Sequence, residues 1–337
     1  MALYLRHRSS FEHDTGPHPE SARRLTAIEE AMSARDWLGL ELVEAPRAER
    51  EQLLRVHDAA HLDRMEELSL HGGGMIDLDT VASEGSWEAA LHAAGGAAHA
   101  VDLLLGDGQP FAFCGLRPPG HHAERARAMG FCLLNNAAVA VAQAEAEYGI
   151  ERVLVLDWDV HHGNGTEAIF YDSPNVLYMS IHQSPLYPGT GAVADAGSGE
   201  GEGYTINLPV APGSGRETYM SLIQHVIGPV AREWRPGLIC VSAGYDAHRE
   251  DPLANCELDD ADYADMAAIV RELGRELSVP VLICLEGGYA LGALSRSVVA
   301  TLEALSGSRR AGDAPLEPAA SYRERLSGWW PALTGTG

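Results

Sequence analysis

Positive charge is what this sequence has least of: 24 Lys and Arg stand against 48 Asp and Glu, a formal net charge of −24. A surface this acidic repels a polyphosphate backbone. That argues against nucleic acid as a direct partner and favours a cationic small molecule or a basic peptide segment as substrate. Long apolar runs are lacking too. No window approaches the ~18 uninterrupted apolar residues of a spanning helix, and residues 1–16, MALYLRHRSSFEHDTG, hold no signal-peptide core. The expectation is a cytoplasmic protein without a membrane partner. Cysteine is sparse. Cys114, Cys132, Cys240, Cys256 and Cys284 form an odd set with no CxxC pair, so reduced structural thiols are expected. The aliphatic and aromatic share of 46% excludes a disordered or fibrous chain.

What is present is an alternation of two patterns. Runs rich in Val, Ile and Leu at 111–115, 152–157, 176–182, 237–244 and 280–287 read as strands buried on both faces. Between them, 87–105, 136–148, 216–233 and 259–277 carry helical spacing, which predicts an α/β fold with a parallel sheet covered on both sides. The 337 residues, at roughly 150 per domain, allow two domains. No repeat or linker divides them, however. A Gly/Ser/Ala/Pro-rich stretch at 306–318 is expected to close a catalytic body spanning 1–305, leaving 306–337 as a tail with a short helix near 322–330. The glycines of His71-Gly72-Gly73-Gly74 lack a strand before and a helix after, so they predict a flexible surface loop and not a phosphate cradle.

The chemistry concentrates where strands end. In Asp157-Trp158-Asp159-Val160-His161-His162-Gly163-Asn164-Gly165, the residues Asp157, Asp159 and His161 recur every second position, so an extended backbone sends all three side chains from one face. Carboxylate and imidazole in that register are candidate metal ligands. Asp246, in Ala243-Gly244-Tyr245-Asp246-Ala247-His248, follows another buried strand at the end where open α/β sheets place their ligands. Two carboxylates and one imidazole leave a tetrahedral Zn²⁺ an open position for water, the arrangement of a catalytic site. His121 and His122, on the loop Arg117-Pro118-Pro119-Gly120-His121-His122, offer a base and an acid. Gly130-Phe131 reads either as a core aromatic or as the wall of a slot. Tyr289, after Glu286-Gly287-Gly288, is placed to turn its hydroxyl toward the site.

Taken together, RPPGHHA, GFCLLNN, DWDVHHGNGT, SAGYDAH and LEGGY, with His18-Pro19-Glu20 and Arg23-Arg24-Leu25 before them, resemble the zinc-dependent histone deacetylase superfamily. That superfamily includes acetylpolyamine amidohydrolases and bacterial deacetylase-like amidohydrolases. The resemblance covers about residues 13–305, leans toward the class II branch, and implies the arginase/deacetylase type of fold with about eight parallel strands in a single domain.

Carried over residue by residue, the resemblance makes Asp159, His161 and Asp246 the zinc ligands, with Fe²⁺ an alternative in the cell. His122 becomes the base and acid, His121 its electrostatic partner, and Tyr289 the group that polarises the acyl carbonyl. Asp157 orients His121 and, with Asp159, His161, Ser180 and Ile181, holds a structural K⁺ or Na⁺. Gly130, Phe131 and Tyr187 wall a tunnel for an alkyl chain, Tyr187 standing where many members carry Phe. Asn164 stands where some members place a carboxylate, so His122 should hold its proton less tightly. Leu253 occupies the place of an acidic gatekeeper in polyamine-preferring members, which favours acetylated lysine peptides or proteins over acetylated polyamines. Asp79 reads either as a rim acid or as a solvated loop acid.

Two other readings compete, and self-association stays open. A binuclear manganese ureohydrolase would need a second Asp two residues beyond Asp246, where His248 stands. A silent acyl-lysine binding module should have lost Tyr289, which this chain retains.

Overall fold

Eight strands form one parallel sheet in the computed structural model, which describes residues 2–334. In chain order the strands are β1 (Leu3–Arg6), β2 (Glu41–Glu44), β3 (Gly73–Met75), β4 (Val81–Ser83), β5 (Phe111–Cys114), β6 (Val153–Asp157), β7 (Val176–Gln183), β8 (Thr205–Val210), β9 (Leu238–Ala243) and β10 (Val281–Leu285). The sheet order is β2-β1-β5-β10-β9-β6-β7-β8, and β3 and β4 form a separate antiparallel hairpin. The arrangement is the expected α/β architecture with helices on both faces. The five apolar runs are its β5, β6, β7, β9 and β10, with every residue of each buried.

The other three sheet strands do not read as buried on both faces. β2, Glu-Leu-Val-Glu, is an edge strand with three of four residues exposed, and β8 carries Pro209 at the opposite edge. Proline and charge are tolerated there because one side of an edge strand needs no ladder partner.

Helix Asn136–Tyr148 begins where the Asn135 side chain accepts from the Ala138 amide at 2.9 Å and ends at Gly149, whose φ of +61° permits a left-handed cap. The stretch predicted as one helix at 216–233 is instead Arg216–Leu222, a π turn at Ile223–Ile227, and Gly228–Trp234. Pro229 has no N–H for the His225 carbonyl four residues earlier. That carbonyl accepts from Arg323 Nη1 at 2.7 Å instead.

Arg323 belongs to helix Glu317–Leu326, so the C-terminal segment lies on this bulge. Ala319, Leu326, Trp330 and Leu333 join the main core, and Trp330 Nε1 donates to Gly203 O at 3.1 Å. Trp330→Ala is therefore expected to cost about 3 kcal/mol of stability through the lost ring and the cavity left behind, measured as a fall in denaturation midpoint.

The glycine-rich segment is also more ordered than expected. Gly73 and Gly74 pair with Ser83 and Ala82 in the β3–β4 hairpin. The five cysteines are buried and unpaired.

Candidate active site

Four neighbouring strands, β5, β10, β9 and β6, end together, and the loops that leave them build the site. β6 stops at Asp157, and the coil beyond it carries Asp159 and His161 toward Asp246, three residues past β9. Asp159, His161 and Asp246 each bring one ligand atom within 4.8 Å of the others, all three buried. His161 Nδ1 lies 3.1 Å from Asp159 Oδ1 and 3.2 Å from Asp246 Oδ2. Backbone amides fix the carboxylates: Gly287 N donates to Asp159 Oδ2 at 2.8 Å, His161 N to Asp159 Oδ1 at 2.9 Å, and Val160 N to Asp246 Oδ1 at 3.0 Å.

Asp246 Oδ2 is buried and faces His161 Nδ1 at 3.2 Å without a well-aligned hydrogen bond, a costly state for a carboxylate oxygen unless a cation also faces it. Burial, then the Asp159 charge, raises the Asp246 pKa, while the two carboxylates raise that of His161 against its burial. This buried excess of negative charge, with O, N and O donors, fits a divalent cation. The space is kept by glycine: a Cβ on Gly287 would stand 2.0 Å from Asp246 Oδ2 and 2.6 Å from Asp159 Oδ2.

Asp157 is not part of this trio. The two-residue alternation that would line up Asp157, Asp159 and His161 breaks where β6 ends. Asp157 Oδ2 pairs with His121 Nδ1 at 3.0 Å instead, and Oδ1 accepts from Asp159 N at 3.1 Å. Ser180 is its register neighbour on β7, with Ile181 next in the strand.

The two adjacent histidines are differentiated by their partners. Burial opposes charge on His121, but Asp157, Asp159 and Glu286 outweigh it and lift its pKa well above the ordinary range. His122 donates from Nδ1 to Asn164 Oδ1 at 2.8 Å, and burial followed by the charges of His121 and His161 pushes its pKa well down. Their surroundings thus push the two rings, 4.0 Å apart, in opposite directions. Glu286 positions their loop. Its Oε2 accepts from Gly120 N at 2.7 Å and His121 N at 3.2 Å, and burial lifts its pKa to about 8 against the pull of the His121 charge.

Tyr289 is held from behind. Arg24 donates to the carbonyls of Gly288, at 2.7 Å, and Glu286, and to Glu20 Oε1 at 3.2 Å, with its guanidinium 5.1 Å from the Tyr289 ring centre. Glu20 is shared with Arg117 through a two-pronged contact, all three residues fully buried. Asp251 Oδ2 accepts from Tyr289 N at 2.7 Å. Arg24→Met should cost about 3 kcal/mol by leaving these partners unpaired. It should also loosen Tyr289, so that turnover falls about tenfold with metal content unchanged. Denaturant unfolding and metal analysis of the same preparation check both.

Above these groups a cavity of about 610 Å³ opens, lined by Asp79, Gly130, Phe131, Tyr187, Leu253 and Tyr289, with His122 and His161 also exposed to it. Phe131 sits at φ +69° with its amide donating to Thr80 Oγ1 at 3.2 Å, and its ring is edge-on to Tyr289. Such a left-handed aromatic residue is held by its surroundings. Tyr187 lies edge-on to His122 from the other side. Asp79 is on the turn of the β3–β4 hairpin at the rim, where its carbonyl accepts from His18 Nε2 at 3.0 Å. A larger cavity, about 720 Å³, lies at the opposite end of the sheet near Phe111 and Val281, away from Asp159, His161 and Asp246.

Sequence reasoning gave no role to Glu286, Asp251 or the Glu20–Arg24–Arg117 cluster. Their signal was charge inside otherwise apolar or motif-bearing segments, since a buried charge must be paired.

Comparison with known proteins places this geometry. The family model described as the histone deacetylase domain matches residues 18–305. A Pseudomonas aeruginosa protein named "Histone deacetylase-like amidohydrolase" is 40% identical over 317 residues, covering 91% of this chain and 82% of that protein. An Archaeoglobus fulgidus protein named "Probable deacetylase" is 40% identical over 307 residues, covering 89% and 85%. The solved structure titled "Crystal Structure of HDA15 HD domain" superposes with a TM-score of 0.92 at 36% identity, covering 98% of this chain and 96% of that one.

Proposed function

Because this chain belongs to the histone deacetylase family, a family of deacetylases and amidohydrolases, we propose that it is a zinc-dependent hydrolase removing acetyl or related acyl groups from lysine side chains. The observation that carries this reading is the convergence of His122, His161 and Tyr289 on one cavity of about 610 Å³. Zinc held by Asp159, His161 and Asp246 would supply a Lewis acid for the acyl carbonyl and lower the pKa of water toward neutrality.

The remaining work falls to the chain. With its Nδ1 proton committed to Asn164 Oδ1, neutral His122 presents a free Nε2 lone pair to take the proton of the attacking water and return it to the leaving amine. His121, paired with Asp157 and with its pKa raised by that and the neighbouring carboxylates against its burial, would favour negative charge developing beside it. The Tyr289 hydroxyl donates to the carbonyl oxygen as that charge grows. Burial keeps this hydroxyl protonated at any ordinary pH. Phe131 and Tyr187 exclude water along the alkyl stem, and Asp79 at the rim would accept a backbone N–H of the substrate. Asp157, Asp159, His161, Ser180 and Ile181 would hold K⁺ or Na⁺ and stiffen the strand ends. Fe²⁺ in place of zinc suits the same donors.

Leu253 on the cavity wall supports acyl-lysine over acetylpolyamine, because an apolar wall gives a second ammonium no partner. The net charge of −24 would attract either substrate, and gives nucleic acid no purchase. No helix among the described residues is long and apolar enough to cross a membrane, and a cytoplasmic location is part of the proposal. A silent binding module has no use for a retained Tyr289 and His122.

The test is turnover of the metal-loaded protein on acetyl-lysine peptides, other acyl-lysines, acetylputrescine and acetylspermidine. Chelator-sensitive release, with the peptides preferred, is expected. Preference for the polyamines would overturn the Leu253 argument, and silence across the panel with metal bound would overturn the acyl-lysine reading in favour of another small-molecule amide or a binding module.

A further inference from the structure

The amide of Asn164 can stand two ways, and only one gives His122 a useful free nitrogen. With Oδ1 toward the ring, Nδ1 must carry the proton and Nε2 is a base. With Nδ2 toward the ring, Nδ1 must accept, and the proton moves to Nε2. The hydrogen bond to His122 does not choose between them, because an imidazole satisfies either. The choice is made on the far side of the amide.

There Nδ2 faces acceptors: Glu124 Oε1 at 2.9 Å, Met129 Sδ at 3.4 Å and the His122 carbonyl at 3.5 Å. The sulfur is a weak acceptor and the carbonyl is at the limit of reach, so the carboxylate is the strong partner. A carboxylate accepts only. We propose that Glu124 is a positioning residue for the reaction. It holds Nδ2 of Asn164 toward itself, and thereby holds Oδ1 on His122 Nδ1 and keeps Nε2 open.

The main chain at this residue is anchored as that task requires. Glu124 N donates to Arg127 O at 2.9 Å, and Glu124 O accepts from His57 Nδ1 at 3.0 Å. His57 Nε2 in turn accepts from Asn135 N at 2.9 Å, and Asn135 Nδ2 donates to Ala123 O at 3.1 Å. A fixed backbone on both sides leaves the Glu124 side chain little freedom to move away. Nor is Glu124 an ordinary surface ion-pair member. It is half-buried, and among the described residues no Lys, Arg or His nitrogen pairs with it.

The inference rests on the reading of His122 as the base, and reciprocal substitutions separate the two. Glu124→Lys puts a donor against a donor. Rotation of the Asn164 amide relieves that contact and drives the proton of His122 to Nε2. Adding Asn164→Asp presents an oxygen on each side, so the introduced ammonium and His122 Nδ1 can both donate to it. Glu124→Gln keeps a carbonyl oxygen for Asn164 Nδ2.

Expected for E124K is a kcat about tenfold to a hundredfold lower, the preference that one charge-assisted hydrogen bond gives. KM, metal content and melting temperature should stay close to the parent values. E124Q should remain within about threefold of the parent kcat, and N164D should restore most of the kcat lost in E124K. N164D alone, with two carboxylates facing each other, should be poorer than the double variant. Parent-like kcat in E124K, or no gain on adding N164D to a folded, metal-replete E124K protein, would overturn the positioning role. His122→Ala is run in parallel. Parent-like kcat there would overturn the base assignment itself, and the inference with it.

Discussion

Asp246→Ala is expected to lose the metal and at least about a thousandfold in turnover. The site holds two carboxylates and an imidazole, and among the described residues no Lys or Arg pairs with them. Removing Asp246 takes away one of the three proposed ligand side chains, together with one of the two carboxylates, after Asp159, that raise the His161 pKa against its burial. An open catalytic zinc site cannot lose one of three protein ligands and keep its geometry, and the Lewis acid it would hold is worth several kcal/mol of barrier.

Gly287→Ala should reproduce much of the loss without touching a ligand, since its Cβ would stand 2.0 Å from Asp246 Oδ2. Metal content by elemental analysis after gel filtration, with turnover on an acetyl-lysine peptide, measures both. Stoichiometric metal and full turnover in Asp246→Ala would remove that residue from the ligand set.

Tyr289→Phe is expected to keep its metal and lose about a hundredfold to a thousandfold in kcat, the range for deleting one preorganised oxyanion donor. At 1.36 kcal/mol per factor of ten this is about 2.7–4 kcal/mol of transition-state stabilisation. The ring need not move. Its backbone amide is held by Asp251, the preceding carbonyl by Arg24, and its face meets the edge of Phe131 or the guanidinium of Arg24. Phe keeps those contacts, so KM and melting temperature should hardly change. That kinetic split distinguishes a lost hydrogen bond from a disordered turn. A variant retaining parent kcat would mean the hydroxyl does not touch the reacting carbonyl.

How far the sequence reads depends on how local the cause is. β5, β6, β7, β9 and β10 are legible because a strand buried on both faces must be apolar throughout. β2 and β8 are not, because an edge strand can carry Glu41, Glu44 and Pro209 at no cost to the sheet. His225 illustrates a different limit. The helical pattern continues straight through 216–233, and only the absent N–H of Pro229, with Arg323 donating instead to the His225 carbonyl from 98 residues further on, marks the π turn.

At the site, Asp159, His161 and Asp246 are legible from their positions at strand ends. Asp157 fits the same alternation yet turns to His121, since alternation holds only while the backbone stays extended. The positioning groups are the least legible. Glu286 meets the Gly120 amide across 166 residues of chain, and Glu124 meets Asn164 across 40, so neither pair leaves a periodic trace.

The central claim, one metal ion held by Asp159, His161 and Asp246 and required for turnover, is tested most directly by titrating zinc into chelator-stripped protein while following deacetylation of an acetyl-lysine peptide. The expected result is no turnover at the start, a linear return, and a plateau at one equivalent per chain. Full turnover by the metal-free protein, or a plateau reached only at two equivalents, would contradict it.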